Sequence, residues 1–426
     1  MLKSATAAVS KSVHSWIMND VNTSPVAQGP LSGIKVLDLS GYIAGPYGCA
    51  LLGDLGAEVL KIEPPDGDTF RKYPSTLKSE TRAFLGINRN KYGLVLDLKS
   101  TEGQEALWRL AASADVLVHN FRPGVAPRIG CDYERLSGIN PRLIYCTVTG
   151  YGTNGPLRQK AGYDQVLQSM TGICALQGAP DAPEIVYGSI VDYYAASLVA
   201  YGVSSALFHR QRTGEGQSVA VSLLASALAM QSARFIWAQG EDRNVGRDMR
   251  SGGITGHHPT KEGFIYLSAN TPHFWSSLCE LLDLKAMGED PRYDSVRKRA
   301  ELAAEIVPKL RAALRARTAM EWEMLFGERV PCAAVRTIED MFEHPQVVAE
   351  KLVTEFTHPT VGSYRGFTNP IQFDRSPSPK PFAAPTLGQH TVDVLRENGF
   401  SDDDIARLRA CRVIGPDARP ATTDSQ

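Results

Sequence analysis

Neither sign of charge prevails in this chain. Forty-five lysines and arginines face 46 aspartates and glutamates, leaving a net charge of −1. That balance argues against nucleic acid and against an anionic membrane surface as partners. No run of 18 or more apolar residues is free of breaks and charges, so no membrane span is expected. C-x-x-C spacing is absent. The seven cysteines (Cys49, Cys131, Cys146, Cys174, Cys279, Cys332 and Cys411) are scattered and odd in number. They read as free thiols in a reducing compartment rather than a disulfide framework or zinc site. The G-x-S-x-G elbow, the P-loop and H-E-x-x-H are also missing, which removes the common serine-hydrolase, NTPase and zinc-peptidase readings. His257 and His258 have no further metal ligands at sensible spacing, so no metal site is expected. Nor does G-x-G-x-x-G follow the first strand. "SGYIAGPYG" spaces Gly41, Gly45 and Gly48 too widely for a dinucleotide fingerprint, leaving these glycines as places where backbone could approach a ligand.

What is present is material for a large core, with 43% hydrophobic and 21% charged residues. From Gly33 to Cys146, β-branched runs alternate with helical stretches. "IKVLDLS", "EVLKIE", "GLVLDL", "DVLVHN" and "RLIYCTVTG" read as strands, and "GPYGCALLGDLGA" and "STEGQEALWRLAASA" as helices. Alternation of this kind predicts an α/β fold with a parallel sheet covered on both faces. Residues 1–30 read as a disordered tail, with an organellar transit peptide as the alternative. Residues 31–230 form the first part of a large domain, 240–340 a smaller α/β domain, 346–415 a segment completing the large domain, and 416–426 a second tail. "GEDRNVGRDMRSGGITGHHPTKEG" reads as a long loop between domains or over a site.

One acid stands out. "VYGSIVDYYAASLVAYGVSSALF" is an apolar, small-residue run interrupted near its start by Asp192. Read alone, Asp192 is a helix cap, accepting backbone N–H groups at the positive end of the helix dipole. Such donors would also keep the carboxylate ionised, and an ionised carboxylate can serve as a covalent nucleophile. Both readings stay open on the residues alone.

Several further blocks occur in order along the chain. They are "GIKVLDLSGYIAGPYGCALLGDLGAEVLKIEPPDGD", "NRNKYGLVLDLKSTEG", "ADVLVHNFRPG", "TGYGTNGP", "AGYDQVLQSMTGI", "RTGEGQSVAVSLL" and "PTLGQHTVDVL". Together they closely resemble family III CoA-transferases, a family that includes α-methylacyl-CoA racemases. The resemblance implies a Rossmann-like large domain built from both ends of the chain, a small domain from its middle, and a homodimer of interlinked rings. Asp192 falls on the family's nucleophile, in "GSIVDYYAAS". Coenzyme A contacts are implied at Ala44, at the "LDLK" segment of Leu96, Asp97, Leu98 and Lys99, at Asn120, Phe121 and Arg122 of "NFRPG", and at Arg128. Tyr163 and Asp164 of "AGYD" are placed beside them. The expected substrates are an acyl-CoA and a carboxylic acid acceptor, with no tightly bound cofactor. Cytoplasmic residence is expected, or the mitochondrial matrix if the first thirty residues are a transit peptide.

Departures from the family narrow the activity. Ile43 and Pro64 stand where formyl-transferring members have glutamine and arginine, which counts against formyl or oxalate chemistry. "SGGITG" (251–256) stands in for their longer glycine run. The racemase branch needs a histidine where this chain has Tyr163, and a phenol of pKa about 10 is a poor base at neutral pH. Transferase is therefore the favoured reading. A racemase and an inactive CoA-binding protein are the alternatives. "TGYGTNGP" and "AGYD" resemble members using succinyl-CoA, and Arg247, Arg250, His257 and His258 are candidates for binding a second carboxylate.

Overall fold

The computed structural model describes residues 29–179, 181–241 and 253–415. Residues 1–28 and 416–426 lie outside these ranges, as do Arg247 and Arg250. Contacts divide the chain into two units, one holding everything up to Phe235 and from Lys351 onward, the other Ile236–Glu350.

In the first unit, six strands make one wholly parallel sheet. They are β1 (Lys35–Asp38), β2 (Glu58–Glu63), β3 (Lys91–Val95), β4 (Val116–His119), β5 (Ile144–Thr149) and β6 (Gln217–Ser222), in spatial order β3-β2-β1-β4-β5-β6. Because successive side chains alternate across a strand, neighbouring apolar residues feed opposite faces. Leu37, Leu60, Leu94 and Leu117 pack with helix α2 (Thr101–Ser113) and with the C-terminal Leu395, Ile405 and Leu408. Val36, Val59, Val116 and Ile144 pack with helix α1 (Ala44–Asp54). The C-terminal segment therefore covers one face of a sheet built by the N-terminal half.

β6 is an edge strand that the sequence reading did not identify. "QSVAVS" alternates rather than running apolar, and Ser218 and Ala220 are exposed. It is preceded by helix α4 (Ile190–Thr213), which comes after the short helix α3 (Asp164–Met170). By length and apolar composition alone α4 is long enough to cross a membrane, though Asp192 interrupts its apolar run near the start. Its place is instead in the core, where Val191, Ala195, Val199 and Val203 pack against the sheet and α1. Its buried Arg210 pairs with Asp115 at 2.7 Å. Gly48 of α1 turns out to serve this packing rather than a ligand, since an added Cβ would lie 2.8 Å from Val199.

The second unit is a three-stranded antiparallel sheet. Phe264–Leu267 lies between Gly256–Pro259 and Cys332–Ala334. Helices Pro272–Leu281, Ala303–Leu314 and Ala319–Phe326 close its core through Trp275, Leu278, Leu310 and Phe326. His258 is fully buried there and its Nε2 lies 2.9 Å from the Ile254 carbonyl. As a core residue it is not available to bind a second carboxylate.

Candidate active site

Strand order reverses between β1 and β4, and open α/β sheets bind ligands outside the carboxyl ends of the strands at such a point. Two loops meet here. Asn120, just past β4, accepts from the Gly41 N–H at 3.0 Å and donates to the Gly41 carbonyl at 2.8 Å. His119 stacks on Phe121 with centroids 5.1 Å apart, and its Nδ1 accepts the Phe121 N–H. Burial pushes the His119 pKa down to about 4, so the ring is neutral and serves as an acceptor.

Beneath the β1 loop lies a buried ion network. Lys91 Nζ donates to Asp38 Oδ2 (2.8 Å), Asn88 Oδ1 (2.8 Å) and the Pro46 carbonyl (2.6 Å). Lys61 Nζ donates to the Ser40 carbonyl and to Asp68 Oδ2 at 2.9 Å. Burial alone would raise the Asp38 pKa, but Lys61 and Lys91 outweigh it and hold it at about 2. Pinned in this way, the loop carries Tyr42 at φ 62°. A left-handed conformation is costly for a bulky residue and tends to persist only where surrounding structure enforces it.

The other wall is the start of α4, where the chain enters through Ser189 at φ 55°. The structure corrects the capping expectation for Asp192. The carboxylate that caps α4 is Asp164, whose Oδ2 accepts the N–H groups of Val191 (2.6 Å) and Asp192 (3.0 Å). Gln168 donates to the other oxygen at 2.5 Å and also ties down Val186. Asp192, in the first turn of α4, has no hydrogen bond to its carboxylate from any described residue. Burial, and then the neighbouring Asp164, push its pKa up to about 7. Far from being kept ionised by helix N–H groups, Asp192 is an unusually basic carboxylate, half ionised near neutrality.

Asp164 and Asp192 line a cavity of about 300 Å³ at the switch point. One wall is aromatic. Tyr42 meets Phe70 and Tyr163 edge-on, each at 5.9 Å, and Phe70 lies 4.5 Å from Tyr73. Three cations, Arg122, Arg158 and Lys160, line it too, and none is paired with a carboxylate of the described residues.

Of the residues named from the sequence, the cavity brings together Ala44, Asn120, Phe121, Arg122, Tyr163, Asp164 and Asp192. It does not include Leu96, Asp97, Leu98, Lys99 or Arg128. Leu96 is a core residue, 1% exposed, and Leu98 packs on the same core. Asp97 Oδ1 accepts the Lys99 N–H in the turn that starts α2. Lys99 and Arg128 are exposed. Tyr42, Phe70, Tyr73, Arg158 and Lys160 were missed. The signal for the last two was "LRQK", two cations beside "AGYD". "GYGTNG" also spells G-x-G-x-x-G after β5, but a loop follows it rather than the helix a dinucleotide site needs.

Replacing Asp164 with Asn keeps an acceptor for the α4 N–H groups and removes the charge beside Asp192. The acid limb of the pH–rate profile is then expected to move down by about one unit. An unmoved limb would mean that burial alone sets it.

The sequence profile of CoA-transferase family III matches residues 31–391. Succinyl-CoA:glutarate CoA-transferase of Mus musculus is 33% identical over 377 residues, covering 86% of each chain. Succinyl-CoA--D-citramalate CoA-transferase of Chloroflexus aurantiacus is 32% identical, covering 90% of this chain and 98% of its own. A crystal structure of a CAIB/BAIF family protein from Brucella suis superposes with a TM-score of 0.77 at 29% identity, covering 87% of this chain and 100% of that one. With the Rossmann-like parallel sheet and the switch-point cavity, these matches lead to one conclusion: the chain belongs to CoA-transferase family III and is an enzyme of that type.

Proposed function

We propose that this enzyme moves CoA from succinyl-CoA, or another short dicarboxylyl-CoA, to a carboxylic acid through a covalent intermediate on Asp192. The observation that carries the proposal is the Asp192 carboxylate, facing the cavity without a hydrogen bond from any described residue and with its proton affinity raised. A more basic carboxylate is a better nucleophile. The names of the mouse and Chloroflexus relatives support the donor class.

An Asp192 oxygen attacks the thioester carbonyl and the C–S bond breaks, giving a mixed anhydride and CoA thiolate. The thiolate attacks the aspartyl carbonyl, releasing the donor acid and leaving an aspartyl-CoA thioester. The acceptor carboxylate displaces CoA from that thioester, and CoA then attacks the acceptor's carbonyl to free Asp192. Asp164 fixes the first turn of α4 throughout, and the aromatic wall limits the access of water to the anhydride. The same resemblance supports a homodimer as the working unit, expected as a sedimenting species of twice 46.4 kDa.

Incubating purified enzyme with a matrix of acyl-CoA donors and carboxylate acceptors tests the reading. Succinyl-CoA with a C4–C5 dicarboxylate is expected to give the acceptor's thioester, without exchange of the substrate α-proton with deuterium. Transfer from acetyl-CoA with succinyl-CoA ignored would overturn the donor assignment, and α-proton exchange would favour a racemase.

A further inference from the structure

The mechanism described so far leaves the two cations at 158 and 160 unused. They sit on a loop whose base is closed by backbone. Gly150 and Gly162 lie against each other, so that a Cβ on either would come within 2.8 Å of the other's Cα. Between them Leu157 packs onto the core below, and the Lys160 N–H donates to the Leu157 carbonyl at 2.8 Å. The loop thus holds Arg158 at the rim of the cavity, lining it while remaining exposed.

The cavity's charge makes this placement informative. Asp164 and Asp192 both face a space whose apolar wall is made by Tyr42, Phe70, Tyr73 and Leu223. A monocarboxylic acyl group would need nothing more than that apolar wall. A dicarboxylyl group brings a second negative charge toward two carboxylates, and like charges at such range cost several kcal/mol unless a cation offsets them. Arg122 follows Asn120 and Phe121 at the end of β4, where the switch point places it. Arg158 lies on a separate loop, and its planar guanidinium fits a carboxylate with two parallel hydrogen bonds, which an ammonium cannot match.

Resting on the dicarboxylyl-CoA reading above, we propose that Arg158 binds the distal carboxylate of the substrate and sets the preference for dicarboxylyl over monocarboxylyl groups. Lys160, two residues on, adds charge but not the two-point fit.

The test compares succinyl-CoA with butyryl-CoA as donors to one saturating acceptor. The two acyl groups have the same carbon count and differ in the terminal carboxylate. Wild-type enzyme is expected to favour succinyl-CoA. Arg158→Gln should lower kcat/KM for succinyl-CoA by roughly 10–100-fold, the size of a lost charge-assisted hydrogen bond. Butyryl-CoA should stay within about threefold, and Arg158→Lys should fall between. A ratio of donors is unaffected by the fraction of enzyme that folds. If both donors fall together, Arg158 holds the shared CoA portion and the inference fails. If neither falls, it also fails. Should the wild-type enzyme treat the two donors alike, the dicarboxylyl reading itself is overturned, independently of any variant.

Discussion

Asp192→Ala is expected to lower kcat at least about 10³-fold while leaving the Kd for acyl-CoA within a few-fold, because it removes the proposed nucleophile and little of the binding surface. The same substitution should stabilise the fold. A carboxyl whose pKa stands near 7 when folded and near 3.8 when exposed binds its proton more tightly in the native state. Its ionisation therefore costs stability as pH rises from about 4 to about 7. Asp192→Asn, which preserves shape, should be more stable than wild type at pH 8 by on the order of 1–2 kcal/mol after allowing for partial exposure, seen as a higher unfolding temperature. The gain should vanish at pH 4. Wild-type activity should fall as pH drops through 7, because the protonated acid does not attack. An Asp192→Ala enzyme with activity within tenfold of wild type would contradict the assignment. So would a stability gain that grows toward acid pH.

Asp38→Ala should produce the largest loss of stability, about 3–5 kcal/mol by urea unfolding, because it strands buried ammonium groups. Asp38 is 0% exposed, with Lys91 at 2.8 Å and Lys61 at 3.9 Å, and both lysines are themselves buried. Its folded pKa of about 2 lies below the ordinary 3.8. The stabilisation is therefore present above about pH 4 and is lost as pH falls toward 2. The consequence for the site follows from connectivity. Lys61 also holds the Ser40 carbonyl, so a loosened network frees the loop that keeps Tyr42 left-handed. A loss below about 1 kcal/mol would show that Lys91 is adequately satisfied by Pro46 and Asn88 alone.

Much of the sheet was legible because parallel strands buried on both faces are nearly continuous apolar runs. β2 coincides with "EVLKIE" residue for residue. β6 was not legible, since an edge strand needs only one buried face. Asp192 was found because it is a charge in an apolar run, and the same criterion would have flagged Asp38 in "KVLD" and Lys61 in "EVLKIE". Its environment could not be read. The acid that caps α4 is 28 residues away in sequence, and only the fold brings Asp164 beside it. Burial of Asp192, and then that contact, reverse the expected effect, from helix donors favouring ionisation to a desolvated site and a neighbouring carboxylate opposing it. The aromatic wall went unread for a similar reason, because Tyr42 and Phe70 belong to loops after different strands.

The central claim is that Asp192 carries the transferred group covalently, and trapping tests it most directly. Enzyme mixed with succinyl-CoA and hydroxylamine should yield an aspartyl hydroxamate, formed as the amine nitrogen displaces CoA thiolate or succinate from the aspartyl carbonyl. Peptide mass spectrometry should locate that mass change on Asp192, only with the thioester present, and it should disappear in Asp192→Ala. Turnover with an unmodified Asp192, or a hydroxamate on another carboxylate that persists in the variant, would contradict the account.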